Sequence, residues 1–154
     1  MKHLVRAGLF GLLAAATPGE PAPSLDATTL GGEHVALEAL RGHVVVVDFW
    51  ASWCEPCRRA FPRLESVAQR YASRGVRVVG VSVDEDRANC ARFVRELHPS
   101  FAVVHDAGHA LAERWSPPSM PTTFVVDARG VVTAVLSGED VSQIERRVQE
   151  ALAR

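Results

Sequence analysis

Residues 48–61, DFWASWCEPCRRAF, hold two cysteines separated by Glu55 and Pro56. A C-x-x-C pair can bind a metal, staple a fold or exchange disulfides. Zinc needs four ligands, and no second C-x-x-C or C…H-x₃₋₅-H partner lies downstream. His105 and His109 are four apart, but Asp106-Ala107-Gly108 between them reads as a turn. A structural disulfide across two residues would close a tiny loop and stabilise little. Disulfide exchange is the chemistry that fits best, and no metal is expected.

That chemistry depends on where the pair sits. The preceding run HVVVVDFW (43–50) is β-branched and aromatic throughout, as expected of a strand buried on both faces. After the cysteines, Ala60, Phe61, Leu64, Val67, Ala68 and Tyr71 follow a helical period, with Gly75 as the stop and Pro62 as an expected kink. VRVVGVSVD (76–84) is a second buried strand. The next helix carries Cys90, Phe93, Val94 and Leu97 on one face.

A short strand (101–106), a short helix (109–115) and a hairpin over 122–138 follow, with its turn at Asp127–Gly130. Asp140 with Gln143 predicts a capping box opening a last helix, whose inner face includes Ile144, Val148 and Leu152. Upstream, PSLDATTLGGEHVAL reads as two short strands around Gly31-Gly32. The whole is an α/β layout with a mixed central sheet flanked by helices and an N-terminal β-hairpin extension.

The cysteines then fall at a strand's C-terminal end and a helix's N-terminus. Free N–H groups there favour an anion, so Cys54 is expected to be an exposed thiolate nucleophile. Cys57, one turn on and nearer the core, is expected to stay a thiol until needed. Pro56 suits a first helical turn because its missing N–H would have had no partner. Glu55 opposes the thiolate, while Arg58 and Arg59 favour it weakly from solvent. Trp50 is expected to pack, and Trp53 to cover the disulfide.

Asp48 is an acid inside an apolar strand, which is costly unless paired or protonated. Either it reaches solvent or a backbone donor at the strand end, or burial raises its pKa and makes it a proton acceptor. The third cysteine, Cys90, fits packing better than a second redox role.

At 154 residues the chain is one domain's worth. A net charge of −1 gives no reason to expect nucleic-acid binding. Residues 1–16, MKHLVRAGLFGLLAAA, have a basic start, an apolar run and an Ala14-x-Ala16 end, the layout of a secretory signal peptide. The competing reading is a frayed helix on a cytoplasmic protein. Residues 17–23, TPGEPAP, read as a flexible lead-in, and 24–154 as the domain.

Several linked motifs carry a family resemblance. VVDFWASWCEPCRRAFPRL, the lead-in LRGHVVVVDFWASWC, Pro62 five residues after the second cysteine, and MPTTFVVDARG resemble the thioredoxin superfamily. Within it they resemble the exported TlpA/ResA-like thiol–disulfide oxidoreductases. The resemblance runs from about Pro23 to the C-terminus and implies a thioredoxin fold.

It also implies a cis Pro121 facing the cysteines, with Met120 presenting its backbone to substrate, and an Asp48 that helps Cys57 lose its proton. It implies protein disulfides as substrates, no cofactor beyond the Cys54–Cys57 dithiol, and a monomer fed by a membrane thiol transporter. Apocytochrome c or a copper-site protein is the implied target. One departure is Ala60, where ResA-like proteins carry glutamate.

Two other classes fit less well. A peroxiredoxin-type peroxidase resembles P-x-x-x-[TS]-x-x-C, but Val47 and Ala51 occupy those places. Copper chaperones resemble C-x-x-x-C, one residue longer than the spacing here.

Overall fold

The computed structural model describes residues 15–154; residues 1–14 of the expected signal peptide lie outside them. Strands β1 (Asp26–Thr28) and β2 (His34–Ala36) pair antiparallel as the N-terminal hairpin. The main sheet contains β3 (Val44–Trp50), β4 (Val76–Ser82), β5 (Ala102–His105), β6 (Thr122–Val126) and β7 (Val132–Ser137). Their order is β5-β4-β3-β6-β7. β3, β4 and β5 run parallel, whereas β6 and β7 are antiparallel to their neighbours.

Among the described residues, four helices complete the fold: α1 (Glu55–Tyr71), α2 (Arg87–Leu97), α3 (Ala110–Trp115) and α4 (Ile144–Leu152).

All seven residues of β3 are buried, because the strand is central and helices or hairpin residues cover both its faces. Period-two alternation sorts its side chains. Val44, Val46 and Trp50 join Cys57, Phe61, Phe93 and Val148 in one core. Val45, Val47 and Phe49 join Leu25, Leu37, Leu111 and Trp115 in the other. Trp50 packs 5.1 Å from Phe61 and 4.6 Å from Phe93, centroid to centroid. The packing role expected of Trp50 is the one it has. Cys90 is fully buried in the same core.

Helix α1 runs on through Pro62 to Tyr71. A short 3₁₀ turn then ends at Gly75 in the left-handed region, φ +84°.

Gly80 lets this packing close. A Cβ there would lie 3.1 Å from both Phe101 Cε2 and Trp50 Nε1, and Trp50 is fully buried. Gly80→Ala is expected to destabilise the fold by about 1–3 kcal/mol in urea titration, by overpacking. An unchanged midpoint would show that the aromatic cluster yields.

Two expectations are corrected. Residues 17–23 are ordered rather than a flexible lead-in. Gly19 N–H donates to Val132 O at 2.8 Å, Val132 N–H to Glu20 O at 3.0 Å and Ala22 N–H to Gly130 O at 2.9 Å. Ala16 is buried against the α3 side of the core. The physical reason is the β7 edge, whose unpaired backbone groups the segment satisfies.

The last helix also starts later than expected. Gly138–Gln143 forms a 3₁₀ turn and α4 begins at Ile144. Gln143 Nε2 donates to the Asp140 carboxylate at 3.4 Å instead of reaching back to a backbone N–H.

Candidate active site

β3 delivers the chain into a tight turn, Ala51–Cys54, closed by Cys54 N–H donating to Ala51 O at 3.1 Å. Cys54 is then the N-cap of α1. Its sulfur accepts from Cys57 N–H at 3.2 Å, and Pro56 lies in the helix's first turn. Cys54 and Cys57 are joined as a disulfide with Cα atoms 5.3 Å apart.

One expectation changes here: Cys54 is only 5% exposed and Cys57 1%. The bonded sulfur turns in toward the helix start, and Trp53, at 71%, takes the outward position. Cys54 is still the more accessible of the two.

Asp48 lies mid-strand, where alternation aims it at the core that contains Cys57. It is 1% exposed, so the solvent-reaching alternative does not hold. Oδ1 accepts from Thr123 Oγ1 at 2.6 Å, and Oδ2 has no hydrogen-bond partner. Burial raises its pKa to about 7, against the lowering effect of the Thr123 hydrogen bond. A buried carboxyl poised near neutrality can accept a proton.

The Met120–Pro121 peptide is cis. The last β3–β6 register pair is Phe49 with Thr122. One step further brings Pro121 alongside Trp50, at the end of the sheet where the cysteines emerge.

Trp53 and Met120 line one groove of about 720 Å³, with Val83, Ala112 and Pro117. Trp53, expected over the disulfide, and Met120, whose backbone is expected to meet substrate, therefore share a concave surface. Pro121 itself is buried.

The charges are less free than expected. Glu55 pairs with Arg59 at 3.8 Å, and both are exposed. Arg58 does not simply point to solvent; it binds Glu96 at 3.2 Å and lies 4.6 Å from the centre of the Phe93 ring. Ala60 is buried on α1, so the glutamate of the family pattern has no counterpart there. Among the described residues no three His, Cys, Asp or Glu side chains gather as a metal site.

Sequence reasoning missed Thr123 and Asp84. Thr123 lay inside the MPTTFVVDARG stretch, and its signal was a hydroxyl at the start of an apolar strand. Asp84 was visible only as the acid closing VRVVGVSVD.

A C-x-x-C disulfide at a helix N-terminus, with a buried acid on the central strand and a cis-proline at the head of the neighbouring one in a mixed five-stranded sheet, defines a thiol–disulfide oxidoreductase of thioredoxin-like fold. The AhpC/TSA family model matches residues 18–135. The chain is 30% identical over 133 residues to the thiol–disulfide oxidoreductase ResA of Bacillus cereus, covering 86% of this chain and 77% of that one.

A thiol:disulfide interchange protein of the thioredoxin family from Chlorobium tepidum TLS superposes with a TM-score of 0.77 at 31% identity, over 90% of this chain and 99% of that one. A secreted disulfide oxidoreductase of Mycobacterium tuberculosis superposes with a TM-score of 0.69 at 26% identity, over 82% and 95%. The chain belongs to the AhpC/TSA family and, within it, to the ResA-like thiol–disulfide oxidoreductases.

Proposed function

We propose that this protein reduces disulfides in exported polypeptides, as in cytochrome c maturation or copper-site assembly. Cys54 thiolate attacks a target disulfide; the target S–S bond breaks, one target thiolate leaves and a mixed disulfide forms. Cys57, losing its proton to Asp48, then attacks Cys54 sulfur and expels the second target thiolate. The target gains two electrons and the Cys54–Cys57 pair loses them.

Trp53, Met120 and Pro121 hold the target chain, and Glu55 and Pro56 tune the pair. The dithiol is the only redox group required. A membrane thiol transporter returns the electrons to a monomeric protein. The observation that carries this reading is Asp48, a buried carboxyl near neutrality facing the core of the resolving cysteine. Export is supported by the layout of residues 1–16 and by the secreted mycobacterial neighbour.

Reduction of insulin by the reduced protein tests the activity, and redox titration tests its direction. Glu55, next to Cys54, opposes a stable thiolate, and its exposed pairing with Arg59 is too weakly coupled to cancel that. The pair is expected near about −250 mV, with Glu55→His a few tens of mV higher. A potential above about −150 mV would make the protein an oxidant instead.

A further inference from the structure

We propose that Asp84 is a positioning residue for Cys54: its carboxylate clamps Ser52 and so fixes the turn that delivers Cys54 to the head of α1. The proposal rests on the dithiol chemistry above, with Cys54 as the attacking sulfur.

Ser52 and Trp53 are the central residues of the Ala51–Cys54 turn. Ser52 N–H lies 3.1 Å from both Asp84 carboxylate oxygens, and Ser52 Oγ donates to Oδ1 at 2.6 Å. Ser82 Oγ donates to Oδ2 at 2.7 Å. Asp84 is 2% exposed, so it is a buried carboxylate whose acceptor capacity is taken up by neighbouring donors. Two of those donors belong to a single residue two positions before the nucleophile.

The clamp is itself held firmly. Val83 N–H donates to Trp50 O at 2.8 Å, tying the end of β4 to the end of β3. His105 Nε2–H donates to Asp84 O at 2.6 Å, and His109 Nε2–H to Val83 O at 3.0 Å. The backbone carbonyls of Asp84 and Val83 are thus held from β5 and from the start of α3. The ionisable side chains around the clamp include Arg87 and Cys90 on α2, Glu85 and Asp86 beside it, the two histidines, and Arg58, Arg92 and Glu96, which share a pocket with Ser52.

A thiolate at Cys54 is stabilised by the N–H groups at the start of α1, among them Cys57 N–H. That benefit needs the sulfur held in place, and the Ser52 clamp holds the turn that carries it. The charge on Asp84 acts in the opposite sense, because a nearby anion disfavours a thiolate. Loss of position and loss of charge therefore move Cys54 reactivity in opposite directions, which makes the proposal testable by sign.

The test is site-resolved alkylation of the reduced, full chain by iodoacetamide from pH 5 to 9, read by mass spectrometry. Asp84→Ala is expected to slow Cys54 labelling at pH 7 by about three- to tenfold and to move its pH profile upward. Ser52→Ala, which keeps the charge and the backbone N–H, is expected to slow it by about twofold. Asp84→Asn, which retains an acceptor for Ser52, is expected to recover at least half of the alanine loss.

Labelling in Ser52→Ala that matches or exceeds wild type would overturn the proposal, even should Asp84→Ala fail to fold. Faster labelling in Asp84→Ala would do the same, since that is the effect of charge removal alone. The readout needs no protein substrate, so it is independent of whether the protein reduces exported polypeptides.

Discussion

Cys57→Ser is expected to stop turnover and to accumulate a mixed disulfide between Cys54 and its target. Cys54 caps α1 and Cys57 lies in its first turn, 5.3 Å apart between Cα atoms and joined as a disulfide. The second attack is therefore intramolecular. Well-placed intramolecular groups act at effective concentrations far above any external thiol, so losing Cys57 should cost on the order of 10³-fold or more in the resolving step.

Cys90 cannot substitute. It is fully buried and free, and burial pushes its thiol pKa up, partly offset by Ser82 and reinforced by Asp84. Alkylation of the reduced wild type near pH 7 should accordingly label Cys54 first and Cys90 last. Mass spectrometry of the trapped species checks both points. Full turnover in Cys57→Ala, or fastest labelling at Cys90, would reverse these roles.

The strands and the reactive pair were legible because each leaves a local mark. The continuous run before the cysteines marks a strand covered on both faces, and β3 is buried at every residue. Pro56 and the C-x-x-C spacing mark a helix start, and α1 begins at Glu55. What could not be read is what depends on partners distant in sequence.

Thr123 meets Asp48 across 75 residues, and Ser52 meets Asp84 across 32; no periodicity encodes either contact. The segment at 17–23 looked unstructured because its composition is that of a linker. Its order comes from an edge strand more than a hundred residues away. Cys54 looked exposed because a helix N-terminus usually faces solvent. In the disulfide its sulfur is instead committed to Cys57.

Asp48→Asn should separate function from stability, because the two respond in opposite directions. In the wild type, Asp48 titrates near 7 when folded, against an ordinary value of 3.8. Between those values the folded chain holds a proton that the unfolded chain has released. Stability is thus fully present below about 4 and declines as pH rises toward 7. The shift of about three units corresponds to a loss on the order of 4 kcal/mol.

Asparagine cannot ionise, and its carbonyl can still accept from Thr123 Oγ1, the contact seen at 2.6 Å. The variant should therefore gain stability relative to wild type by pH 8 and little or none at pH 4, as measured by urea unfolding at both values.

Catalysis should move the other way. Without a proton acceptor near neutrality, the attack of Cys57 on the mixed disulfide should slow by about 10²–10⁴-fold at pH 7. Cys54's first attack should be largely unaffected. The rate inflection near pH 7 should disappear, leaving a rate that climbs only as Cys57 ionises by itself at higher pH. Equal resolution rates in the two proteins from pH 6 to 8, with the stability difference intact, would leave Asp48 a buried acid with no part in the proton transfer.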